Sequence, residues 1–154
     1  MSKYISDYIT FNEYACSCCH RLPPEFYDER GRLYPDVPEM YRKLFKVFRD
    51  IREKWGNPIS ITNGYRCLKH QKELYNQGIS TASVSPHITG LAMDLDFKDH
   101  DDTMKAAVMI KKLHPELRIG YKQYLYRGQS FIHIDTAYLV RPHFIPQWRE
   151  GARW

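Results

Sequence analysis

The sequence predicts one domain of the α+β class, and three observations support this fold class. The chain has 154 residues, enough for one domain with a hydrophobic core and too few for two domains of ordinary size. Hydrophobic residues make up 43% of the chain, so a stable core is expected. Segments with helical periodicity alternate along the chain with segments in which apolar and polar residues alternate. We therefore expect residues 1–154 to form a single mixed domain.

Charge and hydropathy limit the classes of partner. Lys and Arg number 23 against 18 Asp and Glu, which gives a net charge of +5. The basic residues are scattered and form no nucleic-acid-binding motif, so no nucleic acid partner is expected. No apolar run is long enough to cross a membrane, and the N-terminus lacks the apolar run of a signal peptide. We expect a monomer without a membrane partner, synthesised in the cytoplasm.

The N-terminal region begins with a helix signal. Thr10 is predicted to cap a short helix that starts at Phe11, and Glu13 stands at the third helical position of a capping box. Residues 20–35 are rich in Pro, Gly and charge, and this composition predicts a loop.

Four cysteines leave three interpretations open. Cys16, Cys18 and Cys19 are crowded together, whereas Cys67 is isolated, and the two well-spaced Cys-x-x-Cys pairs of a zinc ribbon are absent. Cys67 could form a bridge or a close pair with one cysteine of the cluster, or the cysteines could be buried free thiols. A structural zinc held by the cluster, Cys67 and His20 is the third interpretation. The lack of a signal peptide favours reduced thiols at synthesis.

The strongest helix signal covers residues 38–55. Pro38 suits the first helical turn, and Gly56 followed by Pro58 stops the helix. Apolar residues recur at spacings of three and four and predict one core-facing stripe. Its members are Met40, Leu44, Val47, Phe48, Ile51 and Trp55.

Shorter elements follow in order. A strand over 58–62 leads into a turn at Asn63-Gly64, and Asp101 is predicted to cap a helix over 102–113. A further helix is predicted over 67–77, and further strands over 91–97, 117–121, 123–127 and 130–135.

Two of these strands carry polar residues that suggest chemistry. Alternation places Asp94 and Asp96 on one face of the strand 91–97, which is also the pattern of an edge strand whose acids face water. His87 lies on the loop seven residues before Asp94, and His133 lies in the later apolar strand. Two imidazoles and one carboxylate form a common open site for catalytic zinc. The sequence therefore predicts a zinc ion held by His87, Asp94 and His133.

Four ordered segments resemble zinc D-alanyl-D-alanine carboxypeptidases and related VanY-type endopeptidases. The run SPHITGLAMDLD resembles their Ser-x-His-x-x-Gly-x-Ala-x-Asp signature, and FIHIDT resembles their later Phe-Val-His-Val-Asp-Thr motif. ITNGYRCLKHQ and TFNEYACSCC resemble two further segments of the family. The resemblance implies a small antiparallel sheet flanked by helices, as in the zinc domain of hedgehog proteins, and the same three zinc ligands.

The resemblance also implies an activity, the hydrolysis of peptide bonds in bacterial peptidoglycan by a D-Ala-D-Ala carboxypeptidase or an endopeptidase. The site of action would be the cell wall, reached by phage lysis or by non-classical release. The alternative is a non-catalytic, zinc-containing module that binds the cell wall. Neither the scissile bond nor a phage or bacterial origin follows from the sequence.

Residues beside the metal are assigned roles on the same basis. Arg66, in a loop expected to be exposed, is expected to bind the substrate carboxylate or to act in catalysis by stabilising the developing oxyanion. Ser85 is expected to bind substrate. Asp135 is expected to act as the base or to orient a ligand, and Asp96 is the rival base. Some relatives place an acidic base three residues before the last His, where this chain has Ser130. The remaining histidines are not expected to bind this zinc: His20, His70, His100, His114 and His143.

Overall fold

The N-terminal residues form a small hairpin that leads into the first helix. A computed structural model describes residues 3–80, 84–140 and 148–154. Strand β1 (Tyr4–Ser6) pairs with strand β2 (Ile9–Thr10), and helix α1 (Phe11–Tyr14) follows directly. The predicted capping box is confirmed, because the side chains of Thr10 and Glu13 each accept a hydrogen bond from the other's backbone N–H.

Helix α2 (Glu39–Trp55) carries the predicted apolar stripe. It ends at Gly56, which adopts a φ of 80° and donates its N–H to the carbonyl oxygen of Arg52. Met40 and Trp55 pack against the core while partly buried. The other members of the stripe are fully buried: Leu44, Val47, Phe48 and Ile51.

The remaining elements alternate between strands and helices, which is the predicted α+β class. In chain order they are β3 (Ser60–Asn63), α3 (Leu68–Asn76), β4 (Ala92–Asp96), α4 (His100–Leu113), β5 (Arg118–Gly120), α5 (Lys122–Tyr126) and β6 (Phe131–Asp135). Within the described ranges, no helix is both long and apolar enough to cross a membrane.

A four-stranded antiparallel sheet positions the polar residues. Its strand order is β3-β4-β6-β5, so β4 and β6 are the two inner strands. Asp94 of β4 lies directly opposite His133 of β6, and Asn63 of β3 lies opposite Asp94 on the other side. The alternative that β4 is a water-facing edge strand is therefore excluded, and Asp94 is buried.

The apolar face of the sheet forms the core with helices α2 and α4. Side chains two residues apart on an inner strand point to the same face, so the alternation of β4 and β6 separates an apolar set from a polar set. The apolar set is fully buried: Leu91, Met93, Leu95, Ile132 and Ile134. The polar set, with Asp94 and His133, is left on the opposite face.

Two local predictions are wrong. Asp99, not Asp101, caps α4, because Asp99 has extended backbone angles and its side chain accepts the N–H of Asp102. The strand predicted over 123–127 is the short helix α5, in which the N–H of Leu125 donates to the carbonyl oxygen four residues earlier. A five-residue alternation does not distinguish a strand from one helical turn.

Gly90 joins the loop that carries His87 to strand β4, and it is confined in two ways. Its φ is 78°, a conformation that costs an L-residue about 1–2 kcal/mol. A Cβ there would lie 2.5 Å from Pro23 and 2.7 Å from the hydroxyl of Tyr14. Gly56 has a similar φ of 80°, but a Cβ there meets nothing within 4 Å.

We predict that Gly90→Ala destabilises the protein more than Gly56→Ala. Both substitutions add left-handed strain, but only Gly90→Ala adds overpacking, which costs roughly a further 1–3 kcal/mol. Urea unfolding of the two variants measures the difference. Equal losses of unfolding free energy in the two variants would contradict this prediction, because the side chains around Gly90 would then have moved to accommodate the methyl group without a loss of stability.

Candidate metal centre and substrate cleft

The three predicted ligands meet on the polar face of the sheet. Nε2 of His87 lies 3.3 Å from Oδ1 of Asp94, and Nδ1 of His133 lies 3.1 Å from the same oxygen. One donor atom from each residue can be chosen so that all three lie within 4.8 Å of one another. All three side chains are buried. The structure thus brings together the complete set of predicted ligands.

His87 is positioned by a tight 3₁₀ turn before β4. The turn spans Pro86–Thr89 and is capped by Ser85, whose hydroxyl accepts a hydrogen bond from the N–H of His87. The imidazole Nδ1 lies 2.7 Å from the carbonyl oxygen of Gly64. A carbonyl can only accept, so Nδ1 carries the proton and Nε2 presents its lone pair toward Asp94.

His133 is held in the opposite tautomer by Asp135. Its Nε2 donates to Oδ2 of Asp135 at 2.6 Å, which leaves Nδ1 to face Asp94. Oδ1 of Asp135 accepts from Nε of Arg118 at 2.8 Å and from the N–H of Ala137 at 3.0 Å. Both oxygens of this fully buried carboxylate are therefore engaged.

The negative charge of Asp94 and a positive charge on the neighbouring imidazoles stabilise each other. Burial acts to raise the pKa of Asp94, but His87 and His133 hold it well below its usual range. Burial acts to lower the pKa of His133, but Asp135 and Asp94 raise it to about 9. A divalent cation bound to Nδ1 would displace the proton there and take over its role between the imidazoles and the carboxylate. Two imidazoles and one carboxylate fit zinc as a donor set.

A cavity of about 530 Å³ opens beside these ligands. Its wall includes three guanidinium side chains, those of Arg66, Arg118 and Arg127. Asp94 is the only carboxylate among the described residues that line it. Aromatic side chains complete the wall: Tyr124, Phe131, Trp148 and Trp154. The cavity is therefore cationic and suits a ligand that carries carboxylate groups.

Arg66 and Ser85, the predicted substrate-binding residues, both line this cavity. Arg66 is only 9% exposed, so the expectation of an exposed loop is wrong. Its N–H donates to the carbonyl oxygen of His87, and its Nη1 donates to Oε1 of Gln71 at 2.6 Å. These bonds draw the loop inward and fix the guanidinium in the wall. Ser85 also caps the turn of His87, so its hydroxyl already has a structural partner.

The rival base does not share the cleft. Asp96 lines a separate cavity beside Trp55, where Oδ1 accepts the N–H of Lys98. Ser130 precedes β6 on the side of α4, and its carbonyl oxygen accepts from the hydroxyl of Thr103.

Four of the five histidines that were not expected to bind this zinc lie within the described residues, and each has other surroundings. His114 is bonded to two carboxylates at 3.0 Å each. His20 and His100 are exposed, and His70 faces the cysteine cluster. His143 lies outside the described residues.

Sequence reasoning missed two residues that support the centre. Asn63 donates from Nδ2 to Oδ2 of Asp94 at 3.3 Å, because the register of β3 and β4 sets them opposite each other. The indole of Trp154 packs against Gly120 and lies 5.4 Å from the ring of His133. The contact of Asn63 depends on the pairing of β3 with β4, and the contact of Trp154 depends on the packing of residues 152–154 against β5. No local sequence pattern signals either contact.

Comparisons with known proteins bear on the family and the fold of the chain. The family model described as peptidase M15 matches residues 24–135, a segment that contains all three ligands. The solved structure of an L-Ala D-Glu endopeptidase, ChiX, from Serratia marcescens is similar in fold, with a TM-score of 0.52 and 20% identity. The similarity covers 64% of this chain and 81% of that chain. A comparison with curated proteins found no match.

We predict that His133→Ala protein binds one zinc ion fewer per chain than the wild type, because two remaining ligands do not hold the metal tightly. Elemental analysis after dialysis measures this difference. His100→Ala is the matched control, since that side chain is 66% exposed and should leave the zinc content unchanged. Equal zinc contents in wild type and His133→Ala would contradict the assignment.

Proposed function

The chain belongs to the peptidase M15 family, and on that premise we propose that it is a zinc metallopeptidase that cleaves peptide bonds in bacterial peptidoglycan. The observation that carries the proposal is the convergence of His87, Asp94 and His133 at the edge of a cationic cavity. The proposed site of action is the cell wall, and the proposed active species is a monomer.

Each protein group has a defined task in the proposed reaction. His87 through Nε2, Asp94 through Oδ1 and His133 through Nδ1 would hold the zinc ion. When bound, zinc polarises a scissile carbonyl and lowers the pKa of a water molecule. Gly64 and Asp135 keep each imidazole in the tautomer that offers its lone pair to the metal.

Asp135 is proposed as a positioning residue and not as the base. Its Oδ2 is occupied by His133, and its Oδ1 by Arg118 and a backbone N–H. A carboxylate with both oxygens engaged and no exposed surface does not reach a water molecule in the cleft. Its negative charge instead makes His133 a stronger donor to the metal.

Arg66 is proposed to bind a carboxylate of the substrate. Its side chain donates to the neutral amide of Gln71, and burial lowers the pKa of the guanidinium while Asp94 acts against that effect. A buried cation gains from an anionic partner that enters the cleft. Peptidoglycan stem peptides offer such a group beside the L-Ala–D-Glu bond and at the D-Ala terminus. The name of the similar solved structure makes the L-Ala–D-Glu bond the first to test.

One observation favours the second candidate, a zinc-containing module that binds the cell wall without cleaving it. Among the described residues that line the cleft, Asp94 is the only carboxylate, and it is already assigned to the metal. Binding without turnover is the outcome that this arrangement would give if no group accepts the water's proton.

Turnover separates the two candidates. Zinc-loaded protein is incubated with purified peptidoglycan, and the fragments are analysed for new amino termini and by mass spectrometry. The proposal expects released peptides whose masses identify one scissile bond. Retention of the protein on peptidoglycan without any released fragment would support the binding module instead.

We predict that Asp135→Asn weakens zinc binding by roughly 10–100-fold and reduces turnover in proportion, since the neutral amide no longer polarises His133. Zinc titration and peptidoglycan hydrolysis at saturating zinc measure the two effects. Asp96→Asn is the control and should change neither. Full zinc binding with a rate roughly a hundredfold lower would show that Asp135 is a base.

We predict that Arg66→Ala lowers kcat/KM at least about tenfold, equivalent to about 1.4 kcal/mol, through the loss of a substrate carboxylate contact. Thermal unfolding should stay within a few degrees of the wild type. Lys69→Ala is the control, because Lys69 is exposed on the adjoining helix. A large loss of stability with normal activity per folded molecule would assign Arg66 a structural role.

A further inference from the structure

A second group of side chains that could hold a metal ion includes Cys67, the residue directly after Arg66. The sulfur atoms of Cys16, Cys19 and Cys67 all lie within 4.8 Å of one another. Nδ1 of His70 lies 3.6 Å from the sulfur of Cys16. These four residues come from two segments about 50 residues apart in the chain. The three cysteines form a group separate from His87, Asp94 and His133.

Hydrogen bonds within each segment hold its two donor residues close together. After α1, the N–H of Cys16 donates to the carbonyl oxygen of Arg21, and the N–H of His20 donates to that of Cys16. These bonds close the loop and bring Cys16 and Cys19 together. In the second segment Cys67 caps α3, and its sulfur accepts the N–H of His70 at 3.4 Å.

Backbone N–H groups around Cys16 favour its anionic form. The N–H of Cys67 donates to this sulfur at 3.4 Å, and those of Cys18 and Cys19 also point toward it. Metal-bound sulfur is a thiolate, so the backbone prepares the form that a metal requires.

The sequence spacing matches this geometry. Cys16 and Cys19 form a Cys-x-x-Cys pair, and Cys67 and His70 form a Cys-x-x-His pair. Two such pairs that converge supply three sulfurs and one nitrogen, which is the donor set of closed structural zinc sites. We propose that Cys16, Cys19, Cys67 and His70 bind a second, structural zinc ion.

Other accounts of the cluster explain less of it. A disulfide would join two of the three sulfurs and leave the third without a role, and all four cysteines are free thiols in the structure. Packing in the core does not account for the cluster either, because Cys19 is exposed and Cys67 is half-buried. The exposed edge at Cys19 offers a path by which the metal enters. His70 takes the place that the sequence suggested for His20, which is exposed.

The position of this site gives it a structural task. Cys67 follows Arg66 directly, and the N–H of Tyr65 donates to the carbonyl oxygen of Tyr14 at 2.7 Å. The same loop carries Gly64, whose carbonyl oxygen fixes the ring of His87. A metal shared between residues 16–19 and 67–70 would fasten the N-terminal segment to this loop. The metal would thereby hold Gly64 and Arg66 in place. The proposal of this second metal site does not depend on the proposed peptidase activity.

Metal content and cobalt spectroscopy of the full chain test the proposal. Protein purified under reducing conditions should contain about two zinc ions per chain. After replacement of zinc by cobalt, it should show the intense near-ultraviolet absorption of thiolate-to-cobalt charge transfer. His133→Ala protein should lose one metal ion and retain this absorption, since the sulfur site is separate.

Two cysteine variants locate the ligands. Cys19→Ser should lose one zinc ion and most of the thiolate-to-cobalt absorption, whereas Cys18→Ser, which changes the neighbouring exposed thiol, should match the wild type. Three results would overturn the proposal: wild-type protein without thiolate-to-cobalt absorption, an equal effect of both variants, or a disulfide within the cluster detected by alkylation and mass spectrometry. The cobalt spectrum of the wild-type protein tests the proposal even if the cysteine variants do not fold.

Discussion

The antiparallel register between β4 and β6, which sets Asp94 opposite His133, is the constraint on which the rest of the site depends. Side chains directly opposite on neighbouring strands have Cβ atoms about 5 Å apart, close enough for both to reach one metal ion. A slip of one of these strands by one residue would turn that strand over and place its polar side chain in the apolar core. The buried apolar set of the same strands therefore enforces the geometry of the polar set.

Around this pair, each imidazole is fixed by a different kind of acceptor. A backbone carbonyl holds His87 through Nδ1, and a carboxylate holds His133 through Nε2. The carboxylate is itself paired with buried Arg118. Breaking a buried charged pair is expensive, so the supports of the centre also contribute to the stability of the fold. Function and stability are coupled here through the same few hydrogen bonds.

Much of this arrangement follows from local pattern. Alternation identified β4 and β6 because each strand has one buried apolar face, and the capping box identified the start of α1 because its two bonds span only three residues. The three candidate ligands were predicted from their donor types and from the order of the motifs that resemble the family. Other features depend on distant contacts. Burial of Arg66 comes from the bond of its N–H to His87, and the contact of His70 with Cys16 joins residues 54 apart. The helix α5 was misread because one turn carries too little periodicity to define a class.

The central claim is that His87, Asp94 and His133 bind zinc together. Crystals of the zinc-loaded protein, measured on both sides of the zinc absorption edge, locate the metal directly by its anomalous scattering. The account predicts an anomalous peak within bonding distance of Nε2 of His87, Oδ1 of Asp94 and Nδ1 of His133, roughly 2.0–2.2 Å from each. A zinc-loaded crystal with no anomalous peak between these three atoms would contradict it.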